Sequence, residues 1–200
     1  MITDINQLDL TKKYTYADYL TWQFDKRVEL IRGKVVRTYP NSTPNRFHQE
    51  VSSELHLIIG TYLRKKNCKI YHAPFDVRLP LPPTQQKEKK IDTVVQPDIC
   101  IVCDLSKLDA QGCNGAPDWI IEILSKGTAQ KDLKDKFDIY QHAGVKEYWI
   151  VSPTDGTVLP YRLDETGAYQ LFRQTPFTSE EVVPVGVFPG FGVDLGVVFG

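Results

Sequence analysis

Asp98 stands behind Pro97 at the mouth of an apolar run, and Glu122 lies inside a second one, Asp118-Trp-Ile-Ile-Glu-Ile-Leu124. A carboxylate buried without a partner costs several kcal/mol, so two acids in strand-like apolar stretches call for a shared cation or a shared proton. One divalent metal between them satisfies both. Lys136 follows within Ser125 to Ala143, a segment whose pattern predicts a helix closed by Gly144. Two acids, a metal and a lysine are the parts of a phosphodiester-cleaving centre: the metal polarises phosphate and acidifies water, and the ammonium meets developing negative charge. Plainer readings compete. An aspartate after proline often only opens a strand or turn. Glu122 in a salt bridge with no chemistry, and Lys136 on a solvated charged helix face, are the ordinary alternatives.

The helical spacing sharpens the case for Lys136. Asp132, Lys136 and Tyr140 recur at i, i+4 and i+8 beside the stripe Leu133, Phe137, Tyr140, which sets Lys136 at the border of the core face and leaves Lys131 and Lys134 toward solvent. His48 has no partner at i+3 or i+4 and reads first as a helix histidine. Glu29 shares a strand face with Ile31 and, like His48, reads first in the plain way, as a hairpin surface residue. Serine-nucleophile, Walker-type and dinucleotide-binding glycine motifs are absent from the sequence.

The elements that must position these groups follow from periodicity and punctuation. Thr15 is placed to cap a short helix carrying Tyr16, Tyr19 and Leu20, an N-terminal lid on the core. Arg27 to Arg32 and Lys34 to Tyr39 form a hairpin through Gly33. The apolar positions Phe47, Val51, Leu55, Ile58, Ile59, Tyr62 and Leu63 predict a long helix between Pro44 and Lys66. Short strands are expected at Lys69 to His72 and Phe75 to Leu79. Pro80 to Gln96, with the run Lys87-Glu-Lys-Lys90, reads as an exposed loop without secondary structure. Asp98 to Cys103, Trp119 to Leu124, the helix and Glu147 to Val151 then alternate as in a buried sheet covered by helices. Short strands such as Leu159 to Leu163 and Tyr169 to Arg173 finish the chain. The expectation is one α/β domain over 1–200 with a mixed sheet.

A formal charge of −1 over 200 residues gives no global pull toward nucleic acid, so a DNA-binding surface has to be local. Lys65, Lys66 and Lys69, with the Lys87 to Lys90 run, are candidates for phosphate contact. Cys100 and Cys103 are three apart in a strand and face opposite sides, which argues against a shared metal and for ordinary buried thiols. With neither a signal segment nor a membrane-length apolar run, the expectation is a cytoplasmic protein with reduced cysteines.

Pro97-Asp98, Glu122-Ile-Leu-Ser125, Thr128, Asp132, Lys136, Tyr140 and Gly144-Val-Lys-Glu-Tyr-Trp149 together closely resemble the Uma-two family, which is placed in the PD-(D/E)XK restriction-endonuclease-like superfamily. The resemblance reaches from the N-terminal helix over nearly the whole chain. It implies a mixed central sheet flanked by helices, with Asp98, Glu122 and the carbonyl of Ile123 holding Mg²⁺ or Mn²⁺. In the superfamily motif a lysine lies two positions after the glutamate, where this chain has Leu124. The resemblance therefore implies that the lysine has migrated to Lys136, with Glu29 and His48 as auxiliary site residues. The partner it implies is DNA, double-stranded for preference, and a twofold homodimer would allow cleavage of both strands. Two other function classes stay open: a non-catalytic nucleic-acid or protein-binding module on the same fold, and an enzyme using the carboxylates for metal-free proton transfer on a small molecule.

Overall fold

A computed structural model describes residues 2–25, 27–37, 46–80, 91–125 and 131–200, the side chains of 131–133 excepted. Thr15 opens the first helix, α1 (Tyr16–Tyr19), with a full capping box: its hydroxyl accepts from the Asp18 amide while the Asp18 carboxylate accepts from the Thr15 amide. The hairpin β1 (Val28–Ile31) and β2 (Lys34–Arg37) turns through Arg32 and Gly33 at φ 50° and 80°. Positive φ at both positions is what a tight two-residue hairpin loop with the right twist requires. The long amphipathic helix is α2 (Arg46–Leu63).

Next along the chain come β3 (Lys69–His72), β4 (Val77–Arg78), β5 (Val94–Val95), β6 (Ile99–Val102), β7 (Leu108–Asp109), β8 (Gly112–Asn114) and β9 (Trp119–Ile123). Helix α3 (Lys131–Ala143) leads to β10 (Glu147–Ser152), which lies parallel to β9. The chain closes with β11 (Thr157–Leu163), β12 (Tyr169–Leu171), β13 (Phe177–Thr178), β14 (Val182–Pro184), β15 (Gly192–Asp194) and α4 (Leu195–Phe199).

These strands form a seven-stranded mixed sheet ordered β12-β11-β10-β9-β6-β3 with β13 on β11, a six-stranded sheet ordered β2-β1-β5-β4-β8-β7, and the small pair β14-β15. The seven-stranded sheet is buried on both faces, which is why its central strands β6 and β9 read as apolar runs, with Glu122 the one charged residue inside β9. On one face Ile99, Ile101, Trp119, Ile121 and Ile123 pack on Val51, Leu55, Ile59 and Leu63 of α2 and on the C-terminal Val183, Val193, Leu195 and Val198. On the other, Cys100, Val102, Ile120 and Tyr148 meet Val77, Leu79, Val95 and Cys113 of the six-stranded sheet together with Ile139 and Tyr140 of α3. Alternation along β9 assigns Glu122 to this second face, beside Ile120.

Several expectations need correction. Val94 and Val95, expected in a structureless loop, pair with Leu30, Arg78 and Val77, so that segment supplies the strand joining the hairpin to the rest of its sheet. Ser125 lies ahead of the helix rather than in it. Lys87, Lys89, Lys90 and Thr128 lie outside the described residues. The four cysteines are not all thiols, because Cys68 and Cys103 form a disulfide while Cys100 and Cys113 are free and buried. The reason is the β3-β6 register: Lys69 pairs with Val102, and one further step sets Cys68 opposite Cys103. Among the described residues, no helix is long and apolar enough to cross a membrane.

Candidate active site

Antiparallel pairing of β6 with β9 aligns Ile99 with Ile121 and Cys100 with Ile120. Continuing that register by one position brings Asp98 opposite Glu122. The end of the ladder is clamped by the Ile123 amide, which donates to Asp98 Oδ2 at 2.7 Å. Ala73, leaving β3, donates its amide to the Asp98 carbonyl at 3.3 Å. Asp98 is therefore held on both sides as it enters the sheet, and its side chain stays about a quarter exposed, at 23%. Glu122, inside β9, is buried.

Three other elements converge on this pair. The six-stranded sheet delivers Glu29 from β1; its Oε1 accepts from the Gln96 amide at 2.7 Å and faces Lys136 Nζ at 3.1 Å. Helix α3 delivers Lys136, whose ammonium donates to Glu122 Oε1 at 2.9 Å. One turn further on, the buried Tyr140 hydroxyl donates to the same oxygen at 2.6 Å. The first turns of α2 bring His48 Nε2 to 3.3 Å from Asp98 Oδ1, with the imidazole close to the Ile123 backbone. Behind Glu29, the Gln96 side chain donates to Asp76 at 2.8 Å, and the Tyr19 hydroxyl donates to the same carboxylate at 3.2 Å. Helix α1 is thus tied through hydrogen bonds to the residue that positions Glu29.

The electrostatics follow from a charge count. Glu29, Asp98 and Glu122 gather around one lysine. Burial pushes the Glu122 carboxyl up to about 7; Lys136 opposes this, while Asp98 and Glu29 add to it. Burial works against the Lys136 ammonium as well, but Glu122, Glu29 and Asp98 outweigh it and raise its pKa above the ordinary lysine range. One partner is disfavoured in its charged form and the other favoured, as expected when one cation serves three carboxylates. For His48, burial favours the neutral ring, but Asp98, Glu122 and the Ile123 backbone prevail and raise its pKa. Burial and the neighbouring Glu122 raise the Tyr140 phenol well above its usual range, so it remains a donor.

The residues expected at the site itself meet here: Asp98, Glu122, Lys136, Glu29, His48 and Ile123. Lys134 is exposed, as its place on the helix predicts. Tyr140 was legible as one turn past Lys136 and as one of the residues carrying the resemblance, but with no role of its own, and Gln96 carried no signal. Lys65 and Lys66 are exposed beyond the far end of α2, whose length separates them from His48 by roughly 25 Å, and Lys69, also exposed, opens β3 opposite Val102. Among the described residues, no three His, Cys, Asp or Glu side chains form a metal cage. Asp98, Glu122 and Glu29 bring three carboxylates against the single ammonium of Lys136, so oxygen atoms and negative charge are in excess here.

The Uma2 family model, described as "Putative restriction endonuclease", matches residues 16–196. The chain belongs to the Uma2 family. The matched span takes in every residue of the site. A protein of Synechocystis sp. (strain ATCC 27184 / PCC 6803 / Kazusa), "Uncharacterized protein slr1290", is 23% identical over 186 residues, covering 92% of this Uma2 chain and 90% of its own. A crystal structure of "a putative nuclease belonging to DUF820" from Anabaena variabilis ATCC 29413 superposes with a TM-score of 0.66 at 20% identity, over 92% of this chain and 97% of that one. At that identity the likeness establishes a shared fold, and this Uma2 chain carries it almost end to end.

Proposed function

We propose that this chain is a metal-dependent DNA endonuclease that hydrolyses phosphodiester bonds. The observation that carries the reading is the meeting of Asp98 and Glu122, from paired strands, with Lys136 from a separate helix. Asp98, Glu122 and the Ile123 carbonyl would hold Mg²⁺ or Mn²⁺, ions that favour oxygen donors. Such an ion supplies Lewis acidity toward a phosphodiester and makes water more acidic.

The protein's own groups do the rest. Lys136 stays charged and stabilises negative charge developing on the phosphoryl oxygens, a role worth about 10²–10³ in rate for one well-placed donor. Glu29, fixed by the Gln96 amide, holds Lys136 on its second side. His48 pins Asp98 Oδ1 while the Ile123 amide holds Oδ2, so the carboxylate is oriented before substrate arrives. Lys136 in this reading replaces the lysine that the superfamily motif carries where this chain has Leu124. The substrate is duplex DNA, and a twofold dimer would present one site to each strand.

A second reading, a binding module with an idle site, draws on the way each acid already has a protein partner: Lys136 and Tyr140 on Glu122, His48 and Ile123 on Asp98, Gln96 and Lys136 on Glu29. Plasmid incubated with the purified chain and Mg²⁺ or Mn²⁺ separates the two. Nicking that disappears with EDTA and in Glu122→Gln supports the nuclease. DNA retention without nicking under either metal supports the module.

A further inference from the structure

Two buried tyrosines sit edge to face above the site, Tyr140 and Tyr148, with ring centroids 5.1 Å apart. Their hydroxyls differ. Among the described residues the Tyr148 hydroxyl has no hydrogen-bond partner, whereas that of Tyr140 donates to Glu122 Oε1 at 2.6 Å. Lys136 donates to that same oxygen at 2.9 Å. Lys136 and Tyr140 are one helical turn apart, so α3 grips a single carboxylate oxygen with two side chains from one face. Glu122 Oε2 takes neither donor.

We infer that Tyr140 is a positioning residue that, together with Lys136, fixes the Glu122 carboxylate by Oε1 and reserves Oε2 for a divalent cation. The inference rests on the metal-nuclease reading above. A carboxylate in a strand can rotate about its terminal bond, and Lys136 alone, also drawn toward Glu29 at 3.1 Å, leaves that rotation free. The second donor removes it. The hydroxyl also divides the work of Lys136: with Tyr140 on Oε1, the ammonium can turn toward a phosphate without loosening Glu122. Partners that orient a metal-ligating carboxylate in this way typically account for about 10–100-fold in metal affinity.

The test uses Tyr140→Phe, which keeps the ring, beside Tyr148→Phe, which removes a hydroxyl without a partner from the same aromatic cluster. Mn²⁺ binding to the full chain is measured by calorimetry, and plasmid nicking is followed as a function of Mn²⁺ concentration. Tyr140→Phe should weaken Mn²⁺ binding by about tenfold, with nicking at saturating Mn²⁺ returning to within a few fold of wild type. Tyr148→Phe should bind Mn²⁺ like wild type. Equal Mn²⁺ affinity in wild type and Tyr140→Phe, or equal weakening in both variants, overturns the inference while leaving the metal site standing. A wild type that takes up no Mn²⁺ overturns the metal-nuclease reading and this inference with it.

Discussion

Lys136 donates to Glu122 across the gap between a helix and a strand, at 2.9 Å, although no helical or strand period links the two residues. Replacing Lys136 with methionine keeps the stem and removes the charge. Lys136→Met should lower plasmid nicking by at least about 100-fold, since the ammonium acts on charge that develops only in the transition state. Mn²⁺ binding measured by calorimetry should persist. Lys134→Ala, an exposed change on the same helix, is the control. Equal nicking by the two variants removes Lys136 from the chemistry.

Metal should stabilise the fold through Asp98 and Glu122. At Mn²⁺ concentrations about a hundred times Kd, linkage contributes about 2.7 kcal/mol, which for a chain of this size raises Tm by roughly 5–10 °C. Asp98→Asn and Glu122→Gln should each lose most of that rise in a thermal melt. The same increment in all three proteins means that the ion binds elsewhere.

The metal-free protein should lose stability as pH rises through neutrality. The Glu122 carboxyl has its folded pKa raised from an ordinary 4.5 to about 7, chiefly by burial. A raised folded pKa means that the neutral acid is the form the fold prefers. Its contribution is fully present below the unfolded value and is lost as pH climbs through the folded one. The loss is on the order of 3 kcal/mol by pH 8. Urea midpoints at pH 5 and pH 8 in EDTA should fall more for wild type than for Glu122→Gln, which has no carboxyl to ionise at this position. Parallel falls would show that Glu122 titrates normally.

The disulfide lends itself to a direct measurement. Cys68 and Cys103 are 35 residues apart in sequence, and closing a loop of that length removes unfolded-chain entropy equivalent to about 4 kcal/mol in the loop-closure model. Cys68→Ser with Cys103→Ser should lower the urea midpoint, and reducing agent should lower that of wild type but not of the double variant. If reductant leaves the wild-type midpoint unchanged, the two sulfurs are not bonded in solution.

Much of the architecture was legible because local signals were strong: the threonine cap at Thr15, the glycine turn at Gly33, and the apolar runs of β6 and β9. Asp98 and Glu122 stood out for a related reason, being acids where burial was expected. Glu29 and His48 did not, since a strand glutamate and a helix histidine look alike on a surface and at a site; only the resemblance to a family singled them out. Tyr140 was assigned to the core face, which is right. Helical periodicity gives the face but not which strand residue waits opposite. Cys68 with Cys103, and Asp98 with Glu122, are both decided by antiparallel register, a non-local property that spacing along the chain does not encode. Val94 and Val95 were missed because two residues are too short a run to show a period.

The ammonium and the carboxylates of this site come from different elements of the fold. Asp98 and Glu122 are brought together by how β6 aligns with β9; the lysine arrives on α3, and Leu124, just past β9, donates its backbone amide to Val151 of β10 at 2.8 Å. A motif that strings acid and lysine along one strand must keep a cation beside a buried acid in that strand. Here the strand is relieved of that duty. A change at Lys136 therefore reaches the sheet as well, because the helix carries the charge that offsets Glu122 and Glu29, and the two elements must vary together.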